Sequence, residues 1–147
     1  MPEQETIDRA QEDAREGKSA STQAGEFVRE EIHHVREGKH GARSPQQAIA
    51  IGLSKARRAG IKLGPPKGSA SVREKAEQDE KAGEHPRRRV SRARSRATER
   101  ALQRESRSSA STPSLSRQAR RAAVKRGKNS RRQAAAKAAR TRKGRRS

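Results

Sequence analysis

His33, His34 and His40, with Glu30 and Glu31 close by, are the residues of this sequence whose types could hold a metal ion or move a proton. Glu30 and His34 stand at i, i+4, on one face of a helix. The H-E-x-x-H spacing of metallohydrolases is missing, however, and there is no cysteine to supply a thiolate ligand, a nucleophile or a disulfide. The reading is therefore of exposed helix histidines, with no metal and no cofactor. The carboxylates are not framed by apolar residues that could pair two of them in a pocket. The serines lack a nucleophile-elbow context, and no Gly-rich phosphate loop is present. The sequence predicts no enzyme, no catalytic residue and no small-molecule substrate.

The chemistry it does advertise is polyanion binding. Residues 1–86 carry 15 Lys/Arg and 15 Asp/Glu, whereas residues 87–147 carry 23 and 2, so the whole formal net charge of +21 lies in the last 61 residues. Cations at that density repel one another unless a polyanion neutralises them, and they gain from releasing the counterions condensed on a phosphodiester backbone. The candidate nucleic-acid contacts are Arg87, Arg88, Arg89, Arg92, Arg94, Arg96, Arg117, Arg120, Arg121, Lys125, Arg126, Lys128, Arg131, Arg132, Lys137, Arg140, Arg142, Lys143, Arg145 and Arg146. Eight of them on phosphates would give log K against log salt a slope of about −7. A second phosphate site is expected where Lys39, His40 and Arg43 precede Ser44, because the free N–H groups and the dipole of a helix start favour an anion there.

Which polyanion is partly legible. Single-strand and sequence-reading RNA modules stack bases on aromatic rings, and Phe27 is the sole Phe, Tyr or Trp. Duplex DNA is favoured over RNA. Serine-arginine steps at Ser91-Arg92, Ser95-Arg96, Ser106-Arg107, Ser116-Arg117 and Ser130-Arg131 resemble RS-type segments that engage RNA, and phosphorylation there would set negative charge beside an arginine. The ending from Arg131 to Arg146 resembles linker-histone tails instead.

Four segments must position these residues. Residues 1–20 read as a frayed acidic arm with Ile7 as its one bulky anchor. Residues 21–63 read as a helical hairpin. Its first helix is capped by Ser21 or Thr22, carries Ala24, Phe27, Val28, Ile32 and Val35 on one face and stops at Gly38. Its second opens on a capping box of Ser44, Pro45 and Gln47, carries Ile49, Leu53 and Ala56, and ends in a Schellman turn at Gly60-Ile61. Gly52 would let the two approach closely. Residues 64–86 form a linker with a short charged helix over 72–81, and residues 87–147 form a basic Arg/Ala/Ser-rich tail. That tail lacks an apolar face, so it is expected to be coil in isolation and to gain helix on binding. The predicted fold class is mainly α and disordered: a small two-helix hairpin, about 22–60, flanked by an acidic arm and a long basic, largely disordered tail. With only 27% hydrophobic residues the hairpin is marginal alone, so a homodimer through it, or a ligand, is expected to complete it. No supporting third helix is visible for a helix-turn-helix.

The segments Gly25-Glu26-Phe27-Val28-Arg29-Glu30-Glu31 and Glu37-Gly38-Lys39-His40, followed by Gln47 through Gly60, resemble a family of small bacterial proteins of unknown function. That family is built around a Q-A-I-A-I-x-L-S-x-A-R-x-A-G segment, often followed by Lys/Arg/Ala-rich extensions. The resemblance spans about forty residues and implies a bacterial cytoplasmic setting, with no activity to carry over; the basic tail lies outside it. No apolar run is long enough for a membrane span or a secretion signal. The expectation is a histone-like accessory protein of the nucleoid that coats duplex DNA. Alternatives are an RNA or ribosome-associated binder, and a protein-interaction module with a localising tail.

Overall fold

A computed structural model describes residues 1–85 and 91–145. It divides into two compact units, Met1–Ser111 and Thr112–Ser147. The first contains α1 (Gln4–Arg15), α2 (Ala20–Glu37), α3 (Pro45–Arg58), α4 (Ala70–Glu84), α5 (Arg92–Gln103) and a 3-10 turn, Ser108–Ala110. The second is α6 (Thr112–Gly144), broken at Gly127, whose φ of 80° and ψ of 167° lie outside the helical region.

The hairpin of α2 and α3 lies at the centre of the first unit. Ser19, two residues earlier than expected, caps α2 by accepting from Thr22 N. At the other end the chain leaves in a Schellman turn, with Lys39 N donating to His34 O at 3.0 Å and Gly38 N to Val35 O at 3.2 Å. Ser44 caps α3, its hydroxyl accepting from Gln47 N at 3.2 Å. The Gln47 side chain reaches back one residue further than a capping box requires, to Arg43 N at 2.6 Å. Ile61 N donates to Ala56 O and Gly60 N to Arg57 O, so the Schellman turn expected at the end of α3 is present.

The packing surface is built from small residues. On α3 it is Ala48, Gly52 and Ala56, at i, i+4 and i+8, that are buried, while Ile49 and Leu53 flank them half-exposed. A Cβ on Gly52 would stand 2.6 Å from Val28 Cα, so the two backbones meet where only glycine fits. Phe27 of α2 is 1% exposed and packs with Ala24, Ala10 of α1 and Ala56, bordered by Ile7, Leu53, Ile61 and Leu63.

Two expectations are corrected here. The hairpin does not stand alone: α1 lies on α2 where an acidic arm was expected, burying Thr6 and Ala10, and α4 lies on α3, burying Ala76 and Asp79. Both helices bury alanine and polar groups, which is why a count of bulky apolar side chains passes over them. Nor is the basic region a disordered tail, since α5 and α6 are helical. Alanine and the straight-chain residues Arg, Lys and Gln are the strongest helix formers, and Pro113 sits in the first turn of α6, where its missing N–H costs nothing. Charge repulsion between side chains splayed around a helix and screened by salt is the weaker effect.

Candidate nucleic-acid interface

The expected phosphate contacts fall into three places. Arg92, Arg94 and Arg96 lie on α5, which buries no residue. Arg117, Arg120, Arg121, Lys125, Arg126, Lys128, Arg131, Arg132, Lys137, Arg140, Arg142 and Lys143 all lie on α6 and are exposed, and Arg145 follows its last turn. Arg87, Arg88, Arg89 and Arg146 lie outside the described residues. Within α6, Arg117, Arg120, Arg121 and Lys125 stand at i, i+3, i+4 and i+8, one face of the helix before the Gly127 break. Beyond it Lys128, Arg131 and Arg132 repeat the start of that spacing. The sequence has no Asp or Glu after Glu105, so α6 contains twelve Lys/Arg and no carboxylate.

The other expected phosphate site is engaged with protein groups. Lys39 Nζ lies 3.1 Å from Glu3 Oε1 and 3.4 Å from Glu37 Oε2, and His40 Nε2 lies 2.6 Å from Glu31 Oε1. The loop amides are taken as well: Gly41 N donates to Leu102 O at 2.8 Å and Ala42 N to Ser106 O at 3.0 Å. Gly41 sits so close to the Glu105 carbonyl that no Cβ would fit there. An anion at this loop would have to displace carboxylates and a docked backbone; Lys39 and Arg43 are both exposed, but Lys39 is already paired with Glu3 and Glu37.

Sequence reasoning passed over what that loop helps to build, a network of buried and half-buried charges. Glu30 and Glu31 are 4% and 1% exposed. Lys55 of α3 reaches both, with Nζ 3.3 Å from Glu30 Oε1 and 2.7 Å from Glu31 Oε2. The second Glu30 oxygen accepts from Glu3 N, at the start of α1, at 3.1 Å. Glu3 in turn receives His34 Nε2 at 3.0 Å and Lys39 Nζ at 3.1 Å. The hydrogen bond from His34, then the bond and charge of Lys39, hold the Glu3 carboxyl down at about 2. One network therefore joins the start of α1, the middle of α2, the loop and α3. A signal for it was available: Phe27, Glu31 and Val35 share one helix face, and a carboxylate inside an apolar stripe must find a cation or pay for desolvation.

Asp79 organises the contact of α3 with α4. It is 2% exposed and accepts from Ser54 Oγ at 2.6 Å, Lys75 Nζ at 2.7 Å and Arg58 Nε at 2.8 Å. Burial pushes its carboxyl up, but the bonds from Lys75, Ser54 and Arg58 outweigh that and hold it below the ordinary value. Lys55 and Arg58, cations of the family-like segment, are thus committed to carboxylates of their own unit.

The geometry defines a charge-paired helical bundle and a basic helix without acids. Residues 15–68, a little over a third of the chain, match the model of a family of unknown function, DUF6496. The match runs from the end of α1 through α2, the loop and α3, and excludes α4, α5 and α6. No curated protein and no solved structure matches the chain. Among the described residues, no helix is long and apolar enough to cross a membrane.

Proposed function

We propose that this chain binds duplex DNA without sequence preference, as a histone-like accessory protein of a bacterial nucleoid, with α6 as its main contact. The observation that carries this reading is the composition of that helix: twelve exposed Lys/Arg and no Asp or Glu among its residues. A helix holds such cations at a rise of about 1.5 Å per residue, so that Arg117, Arg121 and Lys125 recur roughly every 6 Å along one face. Less ordering entropy is lost on binding than a coil would lose. Arg92, Arg94 and Arg96 on α5 extend the basic surface of their own unit.

Duplex is favoured over single strands because the sole Phe, Tyr or Trp, Phe27, is buried in the core and cannot stack on a base. The bundle serves as a folded body carried with the basic helix, and Lys18, Lys39, Lys55 and Arg58 are paired with its own carboxylates. The test is a fluorescence-anisotropy titration against duplex DNA, duplex RNA and single strands of equal length. The expected result is tight binding to duplex DNA of any sequence. A clear preference for RNA, or weak binding to all of them, would overturn the proposal.

A further inference from the structure

We propose that Glu31, His34 and His40 form a binding site for a divalent transition-metal ion of the zinc class. The ligand atoms these residues offer lie within 4.8 Å of one another. The placement follows from local structure. Glu31 and His34 stand at i, i+3 on α2, the spacing by which helix bundles aim a carboxylate and an imidazole at one ion. Four residues further on, the Schellman turn at Gly38 folds the chain back, so that His40 approaches the same helix face from outside it.

His40 is oriented as a ligand. Its Nδ1 lies 2.9 Å from the Gly41 carbonyl oxygen, so it donates there, and Nε2 is turned to the Glu31 carboxylate at 2.6 Å. Metal-bound histidines are held in this way, with the second ring nitrogen donating to a backbone carbonyl or a carboxylate. His34 has its own outer partner, with Nε2 3.0 Å from Glu3 Oε1. The ring centroids of His34 and His40 are 6.2 Å apart, edge to face.

The donor set selects the ion. Two imidazoles and one carboxylate without sulfur suit zinc, cobalt, nickel or copper, and leave a fourth position for water. Three carboxylates, Glu3, Glu30 and Glu31, face the site against the ammonium groups of Lys39 and Lys55. Lys55 pairs with Glu31 Oε2, whereas Oε1 is the oxygen that meets His40. Binding replaces the proton between Glu31 Oε1 and His40 Nε2 with the ion, and that proton leaves to solvent.

The experiment uses the full, untagged chain. Titration with Co²⁺ should give one saturable equivalent with the visible absorption of a low-symmetry, nitrogen- and oxygen-ligated ion, displaced by Zn²⁺. In wild-type protein, ¹⁵N side-chain spectra should show His34 and His40 moving on addition of Zn²⁺ while His33 and His85 stay. H34Q and H40Q should each weaken binding by more than the about 10–100-fold typical of losing an outer partner of a ligand, with helical content retained, whereas H33Q leaves it unchanged. Absence of a saturable equivalent, or ring signals moving at His33 and His85 instead, would overturn the proposal; the wild-type spectra decide it even if H40Q fails to fold.

Discussion

The two units of this chain are both helical and differ in what happens to their charges. Met1–Ser111 has 24 Lys/Arg and 17 Asp/Glu, and three of its carboxylates are drawn inward: Glu30, Glu31 and Asp79 are almost wholly buried, each with a cation or hydroxyl on it. Residues 112–147 have 14 Lys/Arg and no acid, and α6 buries no residue. In the first unit α1 to α4 persist because they pack; α5 and α6 bury no residue and persist through propensity. Charge pairing across helices specifies one arrangement of the bundle, since each buried carboxylate is satisfied only in that register. The basic helix contains no Asp or Glu for such pairing.

The contrast can be broken at the core first. F27A should lower the stability of the bundle by about 3–5 kcal/mol, read as a shift of the urea midpoint. A transition that failed to move would mean that the bundle does not melt around Phe27. Next, K55A leaves Glu30 and Glu31 facing each other without their ammonium group. The loss should be about 3 kcal/mol, at the low end for a buried pair because the Lys55 side chain is 21% exposed. In α6 the corresponding test is A135G, which should cost about 1 kcal/mol of local helix stability. It should reduce far-ultraviolet ellipticity without shifting the cooperative transition.

The smallest effect is on acidification. The folded-state carboxyls of Glu3 and Asp79 are depressed, so their stabilisation is complete above their unfolded values of 4.5 and 3.8 and is lost as pH falls through their folded values. For Glu3 that window runs from 4.5 down to about 2. The urea midpoint should fall between pH 5 and 2, and D79N should be less stable at neutral pH with a shallower acid slope. A D79N profile parallel to wild type would remove Asp79 from the account.

How much of this could be read from the sequence depended on how bulky the signal was. The Ser44 cap, the Gly38 and Gly60 stops and the close approach at Gly52 were legible, because each rests on a residue with few alternative uses. The register of the α3 face was not, since Ile49 and Leu53 draw attention from the smaller Ala48, Gly52 and Ala56 that are buried. The packing of α1 and α4 was hidden for the same reason: the faces they bury are Thr6–Ala10 and Ala76–Asp79. Charge misled in both directions. Glutamate is seldom fully buried, so Glu30 and Glu31 read as surface, and the arginines after Pro86 read as too repulsive to form helices that their alanine neighbours support.

The central claim, that the basic helix and not the bundle meets the polyanion, is tested most directly by the salt dependence of duplex-DNA binding in matched variants. Wild type should give log K against log salt a slope of about −7 if eight phosphates are neutralised. Replacing Arg117, Arg120, Arg121 and Lys125 by Gln should reduce its magnitude by about 3–4. Replacing the same number of cations in the bundle, Lys18, Lys62, Lys75 and Lys81, should leave the slope where it was. An unchanged slope in the α6 variant, or an equal reduction in both, would contradict the account.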